Sequence, residues 1–362
     1  TCLDANNLCG WALCQPLPVG GYEWATMTAD ELLAADPSDE FGYIVEANIE
    51  YPRELHTNHQ LLPLMPENRA VDNEELSEYQ RGFEANNKNA KLISSLADKT
   101  NYVCHYRVLQ QAVSLGLRVT AVHRVIKFRQ STWLAPYIQF NNAKRTAARN
   151  DFEKDFFKLC NNAVFGKTME DVRNRLKFEF IPVTDTDRLL KYTSKPTFIC
   201  EWERVHDLAA LKMQQRTVRL NKPIAVGVSI LELSKVHMFN FHYGVMLPRY
   251  GVERMRLCMT DTDSLFYKIE TEDLFADMGE MRDHFDLSAY PKEHPLYDAT
   301  NKKVLGKFKD EAEGQIITEF VGLRAKLYAY RKLDGKEDKR CKGVSKAVVH
   351  RMALARYLHT LN

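Results

Sequence analysis

Two aspartates, Asp261 and Asp263, stand one residue apart in the stretch Met-Thr-Asp-Thr-Asp-Ser-Leu. Around them Leu257, Met259, Leu265 and Tyr267 recur at period two, the pattern of half-buried strands. If the segment is extended throughout, both carboxylates point to one face of a sheet. Crowded there they repel each other unless a cation lies close by, which suggests a divalent-metal site. If the chain instead bends at Thr-Asp-Thr-Asp-Ser, the same residues make a hairpin turn in which Asp and Ser satisfy backbone amides. The spacing is compatible with both. The chain also holds a control, because Asp185-Thr186-Asp187 repeats the triplet. There Arg-Leu-Leu-Lys follows, so capping and the helix dipole account for the acids and predict a helix start.

A second constellation is Lys154, Lys158, Asn162 and Phe165. At 3.6 residues per turn these four fall within an arc of about 80° on one helix. Two ammonium groups one turn apart suit an anion laid across them, and a phosphate chain is such an anion. Asp151, Glu153 and Asp155 offer ion-pair partners, so a solvated face is the plain alternative. Phe152, Phe156, Leu159 and Ala163 form an apolar stripe expected to anchor this helix. A third candidate is Asp4, which ends the short strand pattern Thr-Cys-Leu before a turn at Asn6-Asn7.

The elements that must position these residues follow from periodicity and turn chemistry. Extended segments are predicted at Gly-Tyr-Ile-Val-Glu-Ala-Asn-Ile-Glu-Tyr, at Leu-Arg-Val-Thr-Ala-Val-His-Arg-Val-Ile-Lys-Phe and through Thr-Glu-Phe-Val-Gly-Leu-Arg-Ala-Lys-Leu-Tyr-Ala-Tyr-Arg-Lys-Leu. Helices are predicted from about Tyr79 to a Gly116 cap, from Asn141 to Met169 and from Ala225 to Tyr243. The 362 residues, 45% hydrophobic, suffice for a real core in more than one subdomain.

Net charge is +2, but its distribution is uneven. Asp30 to Asn87 carries 14 acids against 3 bases, and Leu323 to Arg351 carries 10 bases against 3 acids. A polyanion suits the second segment and is repelled by the first. The eight cysteines show neither C-x-x-C nor zinc spacing, which predicts free thiols in a reducing compartment. His56 and His59 are read as loop histidines. No signal peptide opens the chain and no apolar run is read as a membrane span, so a soluble intracellular protein is expected. The chain starts inside a strand pattern and stops inside a helical one, as a piece of a longer protein would.

Taken in order, these motifs resemble those of family B DNA polymerases, in particular the protein-primed branch found in organellar plasmids, viruses and Polinton or Maverick transposons. Asp-Ala-Asn-Asn-Leu-Cys-Gly (Asp4 to Gly10) resembles D-x-x-S-L-Y-P, and Lys-Leu-Cys-Asn-Asn-Ala-Val-Phe-Gly (Lys158 to Gly166) resembles K-x-x-x-N-S-x-Y-G. Asp261 to Ser264 resembles the D-T-D-S motif, and Lys326 to Tyr328 resembles K-x-Y. The strings DFEKDFFKLCNNAVFGKTMED and HRVIKFRQSTWLAPYI suggest the transposon branch.

The resemblance implies an α+β fold, with an antiparallel palm sheet, helical fingers and two insertions. Its boundaries are 1–15 for the first palm motif, 16–133 for a first insertion resembling a terminal-protein region, and 134–169 for the fingers. A second insertion follows at 170–221, the remaining palm at 222–358 and the start of a thumb at 359–362. The family's exonuclease domain is expected to be absent and the thumb largely missing.

By the same resemblance Asp4 and Asp263 hold Mg²⁺, with Mn²⁺ as the alternative ion, and Asp261 is an auxiliary acid. Lys154, Lys158, Asn162, Phe165, Leu8 and Cys9 line the dNTP. Lys326, Tyr328 and Lys342 contact primer-template DNA, and the acidic insertion faces a terminal priming protein. A nucleus or a viral replication site is the implied location.

Cys9 stands where the family has a tyrosine that walls off a ribose 2′-hydroxyl, so weaker sugar discrimination is expected. Asn7, Gly10 and Ala163 replace the family's Ser, Pro and Ser, and Phe165 lacks the tyrosine hydroxyl. An inactive nucleic-acid-binding remnant is the main alternative. A metal-dependent nuclease is a weaker one, since it has no need for the lysine and amide stripe.

Overall fold

The structure, a computed structural model, describes residues 1–82 and 90–361. Residues 83–89, at the end of the acidic segment and inside the helix expected from Tyr79, lie outside the described residues, as does Asn362. The chain divides into two compact units, Thr1–Asn162 with Val228–Asn362, and Ala163–Gly227. The architecture is mixed α+β.

The first unit is built on a five-stranded sheet. Its strand order is Met255–Asp261, Ser264–Ile269, Cys2–Ala5, Phe308–Asp310 and Phe285–Asp286, antiparallel except for the last pair. Alternation decides which side chains face where. Leu3, Ala5, Leu265, Tyr267 and Phe308 join one core with Met238, Phe241, Met246 and Tyr250 of the helical stretch after Val228. Cys2, Asp4, Ser264 and Phe266 therefore face the other way. On that side Cys2 and Phe266 pack with Tyr330 of a second, three-stranded sheet formed by Ile317–Arg324, Leu327–Lys332 and Glu337–Cys341.

Four further strands form an antiparallel sheet in the order Leu17–Ala25, Arg118–Ser131, Phe41–Glu50, Lys99–His105, with helix Tyr106–Ser114 packed on it. Its core is not separate. Leu32, Val45, Ile49, Leu64 and Tyr106 share one cluster with Val236, Phe239 and Tyr243. Gln111 Nε2 donates to Asn240 Oδ1 at 2.6 Å, and Tyr243 Oη donates to the Leu62 carbonyl at 2.6 Å. His59, read as a loop histidine, is buried in a short helix with Nδ1 2.9 Å from Tyr51 Oη.

Several expectations change. The helix predicted over 141–169 is two helices, Ala135–Ala147 and Asp151–Thr168. Asn150 Oδ1 accepts from Glu153 N at 2.8 Å while Glu153 Oε2 accepts from Arg149 N at 3.0 Å, a capping arrangement that starts the second helix. The apolar stripe of that helix does not anchor it, because Phe152, Phe156 and Leu159 are 79%, 50% and 63% exposed whereas Asn161 is fully buried. The long strand through Lys326 is a hairpin, turning at Ala325-Lys326 with Lys326 at φ 61°.

One stretch, Ile224–Arg254, is long and apolar enough by composition to cross a membrane, which the sequence reading had not counted. Just over half (56%) of its most apolar 18-residue window is buried inside the fold, as suits a core helix.

In the second unit, the Asp185 carboxylate accepts from Arg188 N at 3.1 Å and caps helix Thr186–Thr193. The repeated triplet is thus a helix cap, as its flanks predicted.

Candidate active site

Asp4 is the penultimate residue of the middle strand of the five-stranded sheet, in register with Ser264 on one side and Lys309 on the other. The turn beyond it is pinned. Ala5 N donates to the Asp263 carbonyl at 2.7 Å, Asn6 N donates to the Lys307 carbonyl at 2.8 Å, and Asn6 Nδ2 donates to Asp286 at 2.7 Å. Asn7, left-handed at φ 43°, caps helix Leu8–Leu13 by accepting from Gly10 N. Leu8, expected beside a nucleotide, is buried in the core cluster below the sheet. Cys9 is half-buried, and burial and the neighbouring Asp263 both push its thiol up.

Of the two readings of Thr-Asp-Thr-Asp-Ser, the structure takes the turn. The strand ends at Asp261, Thr262 is left-handed at φ 63°, Asp263 N donates to the Asp261 carbonyl at 2.7 Å, and the next strand begins at Ser264. It is a hairpin turn, so the aspartates do not share a strand face by alternation. The turn separates their roles. Asp261 takes an ion pair from Lys326 Nζ at 2.6 Å, while Asp263 lies against Asp4. Burial first, and then Asp263 and Glu311, push the Asp4 carboxyl up to about 7 against the opposing pull of Lys309 and Lys158. Burial likewise raises Asp263, with Asp261 adding to it and Lys326 and Lys158 acting against it.

A cleft of about 190 Å³ opens over Asp4, Asp261, Asp263, Glu311 and Arg340. The donor chemistry fits a hard cation, because burial and mutual repulsion disfavour ionising both carboxylates unless positive charge lies beside them. Among the described residues there is no cluster of three or more His, Cys, Asp or Glu that forms a ready cage.

Continuous with this cleft through Asp261, Tyr328, Asp338 and Arg340 is a larger one of about 640 Å³, lined also by Lys326, Lys342 and Lys346. Lys326 stands at the hairpin tip, and Lys342 N donates to its carbonyl at 3.0 Å. Tyr328 stacks edge-on to Phe266 at 4.9 Å, and burial pushes its hydroxyl up to about 12. Acids in this region are paired with neighbouring bases, Lys332 with Asp338 at 3.0 Å and Arg331 with Glu337 at 3.0 Å. Among the described residues no ion pair engages Arg340, Lys342 or Lys346, so the groove presents net positive charge.

Within the first unit Lys158 is exposed and close enough to influence both Asp4 and Asp263, whereas Lys154 pairs with Asp151 at 3.6 Å. Asn162 is exposed and closes the first unit; Phe165 belongs to the second.

Sequence reasoning missed Lys309, Glu311 and Arg340. Their partners in space are some 300 residues away along the chain, and Lys309 is identifiable only once strand Phe308–Asp310 is known to pair with Cys2–Ala5.

Among solved structures, phi29 DNA polymerase bound to primer-template DNA aligns with 98% of this chain at a TM-score of 0.56 and 13% identity. The fold resembles that of about half of phi29 DNA polymerase. Its ternary complex with primer-template DNA and incoming nucleotides aligns at 0.55 with 13% identity, and an orthorhombic crystal form at 0.54 with 14%. The chain spans about half (52%) of the length of these polymerases. No protein-family model and no curated protein matches the sequence.

Proposed function

We propose that the chain is the polymerising part of a DNA-directed DNA polymerase. It would transfer a nucleotide from a dNTP to a primer 3′-hydroxyl, in protein-primed replication of a transposon or virus-like element. The observation that carries the reading is the pairing of Asp4 with Asp263 at the mouth of a positively charged groove, on a fold shared with a polymerase.

Asp4 and Asp263 would hold two divalent cations, which would ease deprotonation of the primer hydroxyl and offset charge developing on the phosphates. Lys158, one turn beyond Lys154, draws the triphosphate toward the carboxylates as a point charge. Asn162 and Phe165 continue the same helical stripe along the nascent base pair. Asp261 holds Lys326 at the hairpin tip, and Lys326 with Tyr328 positions the primer end. The acidic first insertion, unsuited to a DNA backbone, meets the priming protein.

The direct test is addition of one nucleotide to a labelled primer-template by this chain with Mg²⁺ or Mn²⁺. Metal-dependent addition supports the reading, and binding without addition favours a remnant that only holds nucleic acid.

The groove bases act on phosphates and not on sequence. Lys342→Ala is expected to weaken primer-template binding alike for unrelated sequences and to lower the slope of log affinity against log salt by about 1. An unchanged slope places Lys342 outside the interface.

The Cys9 thiol is smaller than the tyrosine ring found at the matching position of the family that the motifs resemble, so it would wall off less of the sugar. Cys9→Tyr is expected to raise the preference for dNTP over rNTP by about tenfold or more, the effect of one steric contact of a few kcal/mol at the sugar. Kinetics with both substrates check it, and an equal preference in the two proteins removes Cys9 from sugar selection.

A further inference from the structure

The second unit carries a sheet whose two faces differ. Its strands Lys177–Pro182, Leu208–Met213 and Phe198–Val205 lie side by side in that order. Ile181, Ala209, Leu211 and Met213 are buried on one face, packed with Leu189 and Tyr192 of helix Thr186–Thr193. Alternation turns Phe178, Phe180 and Lys212 to the other face, where register pairs Lys212 with Phe178. Trp202 joins them from a bulge in the third strand.

The rings on this face make one surface. Phe178 and Phe180 are stacked with centroids 6.3 Å apart, Phe178 meets Trp202 edge-on at 6.1 Å, and Lys212 Nζ lies 5.3 Å from the Trp202 ring. Phe180 is 59% and Trp202 61% exposed. A contiguous aromatic patch on a sheet, open to solvent, marks an interaction surface. Its electrostatic setting points to the occupant, because residues 163–227 carry 12 Lys and Arg against 8 Asp and Glu. Flat rings accept bases of any sequence while cations follow the backbone. A duplex keeps its bases stacked within itself and gains nothing from the rings.

We propose that this sheet face binds single-stranded nucleic acid, stacking bases on Phe180 and Trp202 with Lys212 beside the phosphates. The face uses no residue of the carboxylate site and does not depend on the polymerase reading.

The test uses the full chain and an oligo-dT strand of about twelve nucleotides, a length within the usual single-strand site sizes. Oligo-dT is expected to quench a component of the tryptophan emission that is missing in Trp202→Phe, and a hairpin duplex is expected to leave that component unchanged. Phe180→Ala and Trp202→Ala should each lower oligo-dT affinity roughly tenfold, in line with the value of one stacked base. The Phe180→Leu, Trp202→Leu pair keeps apolar bulk without rings and should reproduce the loss, which separates stacking from unfolding.

Affinity unchanged in both paired variants overturns the proposal, as does quenching that persists in Trp202→Phe. Self-association in sedimentation that disappears in the paired variants, with oligo-dT binding intact, assigns the face to a second copy of the chain instead. Asp263→Asn should leave the Trp202 signal unchanged, so failure of the polymerase reading stays distinguishable from failure of this one.

Discussion

Replacing Asp263 by Asn is expected to lower the rate of metal-dependent nucleotide addition by about 10³-fold or more, since loss of an ion-holding carboxylate forfeits several kcal/mol of transition-state stabilisation. Asparagine suits the test because it keeps the size of the side chain, and the backbone contacts of the turn, Asp263 N to the Asp261 carbonyl and Ala5 N to the Asp263 carbonyl, need no carboxylate. Asp4→Asn should match it. Asp261→Asn should lose much less, because that carboxylate is engaged by Lys326 at 2.6 Å. Asp185→Asn, in the repeated triplet, should keep the full rate, since asparagine caps a helix nearly as well. Primer-template affinity should stay within a few-fold in all four, which separates catalysis from binding. Equal rates for Asp263→Asn and the unaltered protein remove the pair from the chemistry.

The second large effect is on stability in the absence of metal. Burial and Asp263 raise the Asp4 carboxyl from 3.8 to about 7. Below pH 4 the group is protonated in both folded and unfolded chains and contributes nothing against folding. As pH climbs from about 4 to about 7 the unfolded chain ionises first, so folding stability falls through this window and the full penalty is present above pH 7. At about 1.4 kcal/mol per pKa unit the penalty is about 4 kcal/mol at most. Asp263, also raised, acts with the same sign. Metal-free protein should therefore be stabilised by Asp4→Asn by about 4 kcal/mol at pH 8 and by less than half of that at pH 5. Added Mg²⁺ should raise the melting temperature at pH 8 more than at pH 5, and that difference should vanish in Asp4→Asn. Thermal melts at the two pH values decide it. Buried His105 and His242, both held well below the ordinary imidazole value by burial, shift acid stability in the variant and the parent alike, so comparing the two isolates Asp4. A parallel pH profile for variant and parent contradicts the account.

Much of the site was legible because its residues sit at strand ends and turns that leave local marks. Asn6-Asn7 announced the turn after Asp4, and the flanks of the two Asp-Thr-Asp triplets separated a hairpin from a helix cap. Strand alternation at Leu257, Met259, Leu265 and Tyr267 located the hairpin arms. The break in the lysine helix was also marked, since Asn150 and Glu153 have capping-box spacing, but unbroken apolar periodicity drew attention away from it. That periodicity misled a second time, because it cannot tell a stripe that packs from one that does not, and Phe152 and Phe156 are open to solvent while Asn161 is buried. The turn at Lys326 left no mark, because lysine at positive φ replaces the usual Gly or Asn. Lys309, Glu311 and Arg340 could not be found locally at all, since only the register of distant strands brings them to Asp4.

The core that the four-stranded sheet shares with the helix after Val228 bears on how the proposed priming partner can be sought. Val236, Phe239 and Tyr243 lie under Leu32, Val45, Ile49 and Leu64, so the stretch from Leu32 to Leu64 is a wall of the same building that holds the carboxylates. Excising it would strip cover from the very helix on which the five-stranded sheet rests, and loss of every activity together would then report collapse, not a missing contact. A priming partner is better mapped by reversing the sign of single exposed acids such as Glu31, Glu54 and Glu74, which changes the face the insertion shows while leaving its masonry in place.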